Sequence, residues 1–195
     1  MQMPFDAMND TPDDALLVLY ANGDAAAARA LMMRLTPRVL GYATRLLNDR
    51  TEAEDVAQEA MLRLWKIAPD WRQGEAKVST WLYQVVGNLC TDRLRKRRTV
   101  ALDAVAEPED GRASAVESMI DVERAAALTA ALATLPERQR QTVILRHIEG
   151  VTNPEIARIL EISVEAVESL TARGKRALTV ALADRRKDLG YRDDG

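Results

Sequence analysis

Val151-Thr152-Asn153-Pro154-Glu155-Ile156-Ala157-Arg158-Ile159-Leu160-Glu161-Ile162-Ser163-Val164-Glu165-Ala166-Val167 holds two helix starts in close succession. Thr152 followed three residues later by Glu155 is a capping box, and Val151 with Ile156 makes a hydrophobic staple, so a short helix opens there and ends near Leu160. Ser163 can cap a second helix, stapled by Ile162 and Val167 and running through Glu168, Ser169, Thr171 and Arg173 toward Leu182. Two helices meeting at so tight a turn fit a helix-turn-helix. Ala157 lets them approach, and Ile156, Leu160, Ile162 and Val167 fill the angle between them. An ordinary helical hairpin in a bundle satisfies the same spacing. Charge separates the two readings, because Arg173, Lys175 and Arg176 extend the second helix with a cationic surface suited to phosphates. Ser169 and Thr171 are short groups able to reach backbone or base edges. Glu168 is discordant, since a carboxylate near a groove is repelled by phosphate and contributes only by accepting from a base such as cytosine.

Outward from this stretch, helical periodicity covers most of the chain and no segment alternates like a strand, which predicts an all-α protein. Thr51-Glu52-Ala53-Glu54 fits another capping box, opening a helix to about Ile67 that Pro69 stops. From Lys77, the residues Val78, Trp81, Leu82, Val85, Val86, Leu89 and Leu94 recur at steps of three and four, one buried stripe on a long helix. Gln84, Asn88, Asp92 and Arg95 form its polar face and lead into the basic run ending at Arg98. Between Thr99 and Val122 the pattern collapses into an acidic stretch with Pro108 and Gly111, a flexible linker. Patterning resumes near Val122 and pauses at Leu135-Pro136, where proline suits the first turn of a new helix. The predicted organisation is an N-terminal segment (1–23), a first helical domain (24–98), the linker (99–121), a second helical domain (122–187) and a tail (188–195). At 195 residues the chain supports two small domains with separate cores.

The net charge of −3 hides two cationic clusters, Arg93 to Arg98 and Arg173 to Lys187. On charge alone, solvated helix ends are the preferred account of such clusters, and the motifs decide between the two. Cys90 is the only cysteine, which precludes an intrachain disulfide and points to a reducing cytosol; on a helix with no histidine nearby in sequence it reads as buried and inert. The N-terminus, with four aspartates and no basic residue before Ala15, is unlike a signal peptide, and no apolar run is long enough to span a membrane. Enzyme readings lack their residues. A helical di-metal site built on Glu52, Glu54, Asp55 and Glu59 needs Glu-x-x-His pairs, yet His147 is the only histidine and has no such glutamate before it. No glycine-rich phosphate loop is present, and no cofactor is expected.

Leu46 through Glu59, then Trp81-Leu82-Tyr83, Asn88 and Asp92-Arg93-Leu94-Arg95, followed by Leu135-Pro136, Gly150, Glu155-Ile156-Ala157 and the helix from Ser163, resemble the extracytoplasmic-function sigma factors of bacterial RNA polymerase in order and spacing. The resemblance implies a sigma-two-like helical bundle and a sigma-four-like helix-turn-helix domain. It implies that Asp49, Glu52, Asp55, Gln58 and Glu59 dock on the clamp coiled coil of core polymerase. Asn88 and Asp92 would lie near unstacked bases of the minus-ten element, with the loop Pro69 to Ser79 supplying a base pocket. Arg93, Arg95, Lys96, Arg97 and Arg98 would track phosphates. Trp71 would be a stacking platform, although a loop-end tryptophan more often plugs a core, where Trp65 and Trp81 are assigned. Thr152, Glu168, Ser169, Thr171, Arg173, Lys175 and Arg176 would meet the minus-thirty-five duplex. Promoter DNA and core polymerase are the implied partners, together with an anti-sigma factor, often membrane-anchored; no small-molecule substrate is expected. Two other readings remain open from the residues: a sigma mimic that sequesters an anti-sigma factor, and a conventional helix-turn-helix regulator.

Overall fold

Asp24 opens the first long helix. Its carboxylate accepts from the amides of Ala26 (2.9 Å) and Ala27 (3.4 Å), two donors that a helix start otherwise leaves unsatisfied. In the computed structural model, which describes residues 8, 10–103 and 119–183, that helix is α2 (Ala25–Leu47), preceded by α1 (Asp13–Ala21). It ends at Asn48, whose left-handed backbone (φ 51°) turns the chain directly into the next cap. Asp49 accepts from the Glu52 amide at 2.9 Å and opens α3 (Arg50–Ile67). The cap thus lies two residues ahead of the predicted Thr51. Asn48 delivers Asp49 in extended conformation at the first position where a side chain can cap, so the helix starts there.

The first domain also reaches further toward the N-terminus than predicted. Residues 13–21, read from sequence as part of a leading segment, form α1, and Leu16 and Leu17 are fully buried among α2 and the short turn Ala68–Asp70. Burying each such leucine contributes roughly 1.5–3 kcal/mol, enough to hold a helix of this length that would be marginal alone. Arg34 of α2 ties the approach down, donating to the carbonyls of Met8 and Thr11 and to the Asp13 carboxylate. A short turn and a loop then lead to α4 (Val78–Asp103), which places Val78, Leu82 and Val86 of its predicted stripe in the core beside Cys90 and leaves Trp81, Val85, Leu89 and Leu94 partly buried.

Helix α4 runs five residues beyond Arg98, and α5 (Met119–Ala133) begins before Val122. No breaker occurs in Thr99-Val100-Ala101-Leu102-Asp103, and Thr99 Oγ1 donates to the Arg95 carbonyl (3.1 Å), so nothing stops the helix at the charge cluster. The predicted linker contracts to 104–118; it and the tail lie outside the described residues.

In the second domain, Pro136 is the cap residue and not a member of the first turn; its ψ of 141° is extended, and α6 (Glu137–Val143) starts after it. A wide π turn, Ile144–Ile148, prolongs α6 and leads through Gly150 (φ 69°) to α7 (Asn153–Leu160) and α8 (Val164–Ala183). Leu132, Leu135, Ile144, Leu145, Ile156 and Val167 are among its buried side chains. The two domains meet, with α2 and α4 packed against α5, α6 and α7. Among the described residues there is no strand, and no helix is long and apolar enough to cross a membrane.

Candidate nucleic-acid interface

The helix-turn-helix forms from α7 and α8 as its sequence dictates. Glu155 accepts from the Thr152 amide (3.1 Å) and from the Thr152 hydroxyl (2.7 Å), and the Ala166 amide donates to Ser163 Oγ (3.2 Å). Lys77 adds a third contact to the Glu155 carboxylate at 2.7 Å, and chiefly through that bond its pKa falls to about 2. Glu161 takes a left-handed conformation (φ 54°) at the turn, while Arg138 donates to the Leu160 carbonyl (2.9 Å), satisfying an acceptor at the end of α7. Gly174 brings α8 against α6. A Cβ there would lie 2.6 Å from Val143 Cγ2 and 3.3 Å from the Gln139 carbonyl oxygen, so only glycine fits this approach.

Those contacts fix which side of α8 is left outward. Glu168, Ser169, Arg173, Lys175 and Arg176 are exposed, and Thr152 is exposed at the start of α7. The Thr171 hydroxyl is half-buried and donates to the Val167 carbonyl at 2.8 Å, keeping its lone pairs for a partner. No ion pair to Arg173, Lys175 or Arg176 occurs among the described residues. Arg185, Arg186 and Lys187 lie outside the described residues.

Residues 31–100 match Sigma-70 region 2 and residues 125–178 match Sigma-70 region 4. Over 181 residues the chain is 30% identical to the RNA polymerase sigma-H factor of Pseudomonas aeruginosa, covering 87% of this chain and 93% of that one. It is 33% identical over 195 residues to the extracytoplasmic-function sigma factor SigM of Mycobacterium tuberculosis, covering 98% and 91%. This chain belongs to the extracytoplasmic-function sigma factors of the sigma-70 family. The family consists of transcription initiation factors and not of enzymes. The fold is shared with the sigma factor RpoE of Bartonella quintana, solved in complex with the anti-sigma factor NepR, at 21% identity and a TM-score of 0.69, covering 80% of this chain and 96% of that one.

In this sigma factor the basic cluster of α4 divides between two faces, because successive residues on a helix turn by about 100°. Asn88, Asp92, Arg95 and Lys96 are exposed together, with Arg95 bonded to Asp92 at 2.8 Å. Arg93 and Arg97, four residues apart, turn instead toward α3. Arg93 lies 3.8 Å from Asp55, and Arg97 bridges Asp49 (2.9 Å) and Glu52 (3.0 Å) while donating to the Leu47 carbonyl (3.1 Å). Arg97 therefore anchors the start of α3 in this arrangement, and part of the acid assigned to a basic partner is compensated within the fold. Asp55 and Gln58 stay exposed, and Glu59 pairs with Arg63 at 2.5 Å.

Beside Gln58 runs a groove of about 320 Å³ lined mainly by Met32, Leu40, Met61, Leu62 and Trp65. Its apolar character was not read from the sequence, although Leu62 falls off the buried stripe of α3 and Met32-Met33 is an exposed pair on α2. The tryptophans sort as partly buried supports. Trp65 stacks at a tilt on Tyr20 (4.6 Å), and Trp71 meets Trp81 edge to face (6.2 Å), packed against the core and not presented as a free platform. Cys90 is fully buried, and that burial pushes its thiol up to about 12, so no thiolate nucleophile forms near neutral pH. His147 is exposed.

Proposed function

We propose that this sigma factor binds core RNA polymerase through the exposed side of α3, captures the unstacked minus-ten strand with the outward face of α4 and the 69–79 loop, and grips the minus-thirty-five duplex with α8. The observation that carries this reading is the cationic surface of α8, without ion pairs among the described residues and set on a helix-turn-helix at the other end of a chain whose α4 exposes Asn88, Asp92, Arg95 and Lys96. Arginine and lysine without internal partners bind phosphate without first breaking an ion pair. Gln58, Glu59 and Leu62 beside the apolar groove combine polar and apolar contact, as a stable protein interface requires. An anti-sigma factor is the expected regulator, and the cytoplasm the expected compartment.

Run-off transcription with purified core polymerase on genomic fragments, including the gene's own upstream region, tests the proposal. Specific transcripts that disappear with Arg95→Ala combined with Lys96→Ala are the expected outcome. Absence of transcripts from a protein that still binds an anti-sigma factor would favour the mimic reading.

A further inference from the structure

A cleft of about 220 Å³ lies where α4 of the first domain meets α6 and α7 of the second, with Asn88 and Glu161 exposed at its mouth. Its first wall follows the register of α4: Gln84, Asn88 and Thr91 recur at steps of four and three and share one face of that helix, with Gly87 between them. Ile159 and Leu160, both buried, give it an apolar side at the end of α7. Both walls are held by contacts outside the cleft. Glu149 accepts from the Tyr83 hydroxyl at 2.6 Å, and the Lys77 ammonium lies 2.7 Å from the Glu155 carboxylate.

One buried polar atom of the lining is unsatisfied. Gln141 of α6 is only 4% exposed; its Nε2 donates to Thr91 Oγ1 (3.2 Å), and its Oε1 has no hydrogen-bond partner among the described residues. Turning the amide over does not cure this. Thr91 gives its single proton to Glu137, so its oxygen accepts from Gln141 and the amide nitrogen has to face it. Burying an acceptor without a donor costs free energy, which a donor arriving from outside recovers. The rest of the lining is also short of donors. It holds two carboxylates, Glu137 and Glu161, on which Thr91 and Gln84 have already spent protons. Arg138, the one guanidinium of the lining, donates to the Leu160 carbonyl at 2.9 Å. Arg98, exposed, lies 3.8 Å from Glu137.

We propose that this cleft is a binding site for a small guanidinium compound, whose N–H fork donates to Gln141 Oε1 and the Glu137 carboxylate, with Glu161 closing over its charge at the mouth. Glu137 and Gln141 are four residues apart on α6 and both bonded to Thr91, so they stand side by side, as a forked donor requires. A guanidinium offers several donors in one plane and accepts nothing, whereas an ammonium is a compact and more strongly hydrated charge. An anion meets two carboxylates, and an apolar molecule leaves Gln141 Oε1 unmet. The volume falls below the roughly 300 Å³ at which sites for drug-sized ligands begin, so the ligand is a head group with a short chain lying against Ile159 and Leu160. Of the lining residues only Asn88 belongs to the face assigned to the minus-ten strand, and the site stands whether or not α4 reads DNA.

Isothermal titration calorimetry of the full chain with agmatine tests the site. One agmatine should bind per chain, saturating below about 10 mM. Putrescine, which carries an ammonium where agmatine has its guanidinium, should bind about fivefold or more weakly. Gln141→Leu removes the acceptor of a charged donor and should weaken agmatine about tenfold or more. Glu161→Gln, at the exposed mouth, should weaken it about threefold. Circular dichroism checks folding, and Glu137→Gln combined with Glu161→Gln carries the test if Gln141→Leu unfolds the second domain, with an expected loss of about tenfold. In the wild type the side-chain amide resonance of Gln141, identified by its loss in Gln141→Leu, should shift along the same titration. No saturable binding, or equal binding by the folded variants, overturns the site. Equal affinity for putrescine overturns the guanidinium assignment. Neither DNA nor polymerase takes part, so a chain inactive in run-off assays counts against the proposed function and leaves the cleft to be decided on its own.

Discussion

Helices α4 and α8 each carry a basic cluster of similar composition, and the fold uses them differently. On α4, Arg93, Arg95, Arg97 and Arg98 all face carboxylates at 2.8–3.8 Å, one of them contributed by the second domain. On α8, Arg173, Lys175 and Arg176 stand exposed with no carboxylate partner among the described residues. Counting charges along a sequence therefore overstates the cation available to phosphate on α4 and gives it fairly on α8. The difference follows from neighbours: α4 packs beside the acidic start of α3, whereas α8 turns its uncharged Val167 and Gly174 inward, and exposed Glu168 on α8 itself forms no ion pair with Arg173, Lys175 or Arg176 among the described residues.

The sharpest way to break this comparison is to remove the α8 charges. Arg173→Ala, Lys175→Ala and Arg176→Ala together should weaken binding of the polymerase-bound factor to a minus-thirty-five duplex about a hundredfold at low salt. The slope of affinity against salt should flatten by about 0.9 for each phosphate no longer neutralised. Thermal stability of the free chain should stay within about 0.5 kcal/mol of wild type, since these side chains are exposed and form no ion pair among the described residues. Next in size is Gly174→Val, which forces α8 off Val143 and Gln139 and should cost about 2 kcal/mol in a urea denaturation series. If the α8 cluster owes its exposure to that close approach, duplex binding falls with it.

Arg97→Ala sharpens the other side of the comparison. It should lower stability by about 1 kcal/mol, as two half-exposed carboxylates and a backbone carbonyl lose their donor, where Arg95→Ala changes stability negligibly. A further effect concerns pH. Glu155 is held near 2 in the folded chain by Lys77 and Thr152, below the 4.5 of an unperturbed glutamate, so its contribution is complete above about pH 4.5 and fades as pH falls toward 2. Glu155→Gln should remove that share of the acid dependence, visible as a smaller drop in melting temperature between about pH 6 and about pH 3.

Much of this was legible because caps and stripes are local. Thr152, Ser163 and the Val78-to-Leu89 stripe need only near neighbours, and they placed α7, α8 and α4 within a few residues. The N-terminal region was harder to read. Helix α1 has an undistinguished sequence whose Leu16 and Leu17 gain meaning only when α2 and the 68–70 turn cover them. Asp49 outcompeted Thr51 because Asn48 adopts a left-handed turn, which a capping motif does not reveal. The partners of Arg97 lie 45 and 48 residues away in sequence, and Tyr83 lies 66 from Glu149, distances over which periodicity carries no information. The apolar groove beside Gln58 was missed for a related reason: exposed methionines look like ordinary helix formers until the surface they share is assembled.

Fifteen residues, 104–118, join α4 to α5 and keep the second domain permanently near the first. A tether of that order gives an effective concentration in the millimolar range, so contacts amounting to about 4 kcal/mol dock the two halves about half of the time, and each further 1.4 kcal/mol multiplies the docked population about tenfold. Half-exposed ion pairs and a few hydrogen bonds reach that figure without a large apolar seam. The same arithmetic sets the terms for a small ligand that binds only where the two halves meet: at about ten times its dissociation constant it raises the ratio of docked to undocked chains about elevenfold.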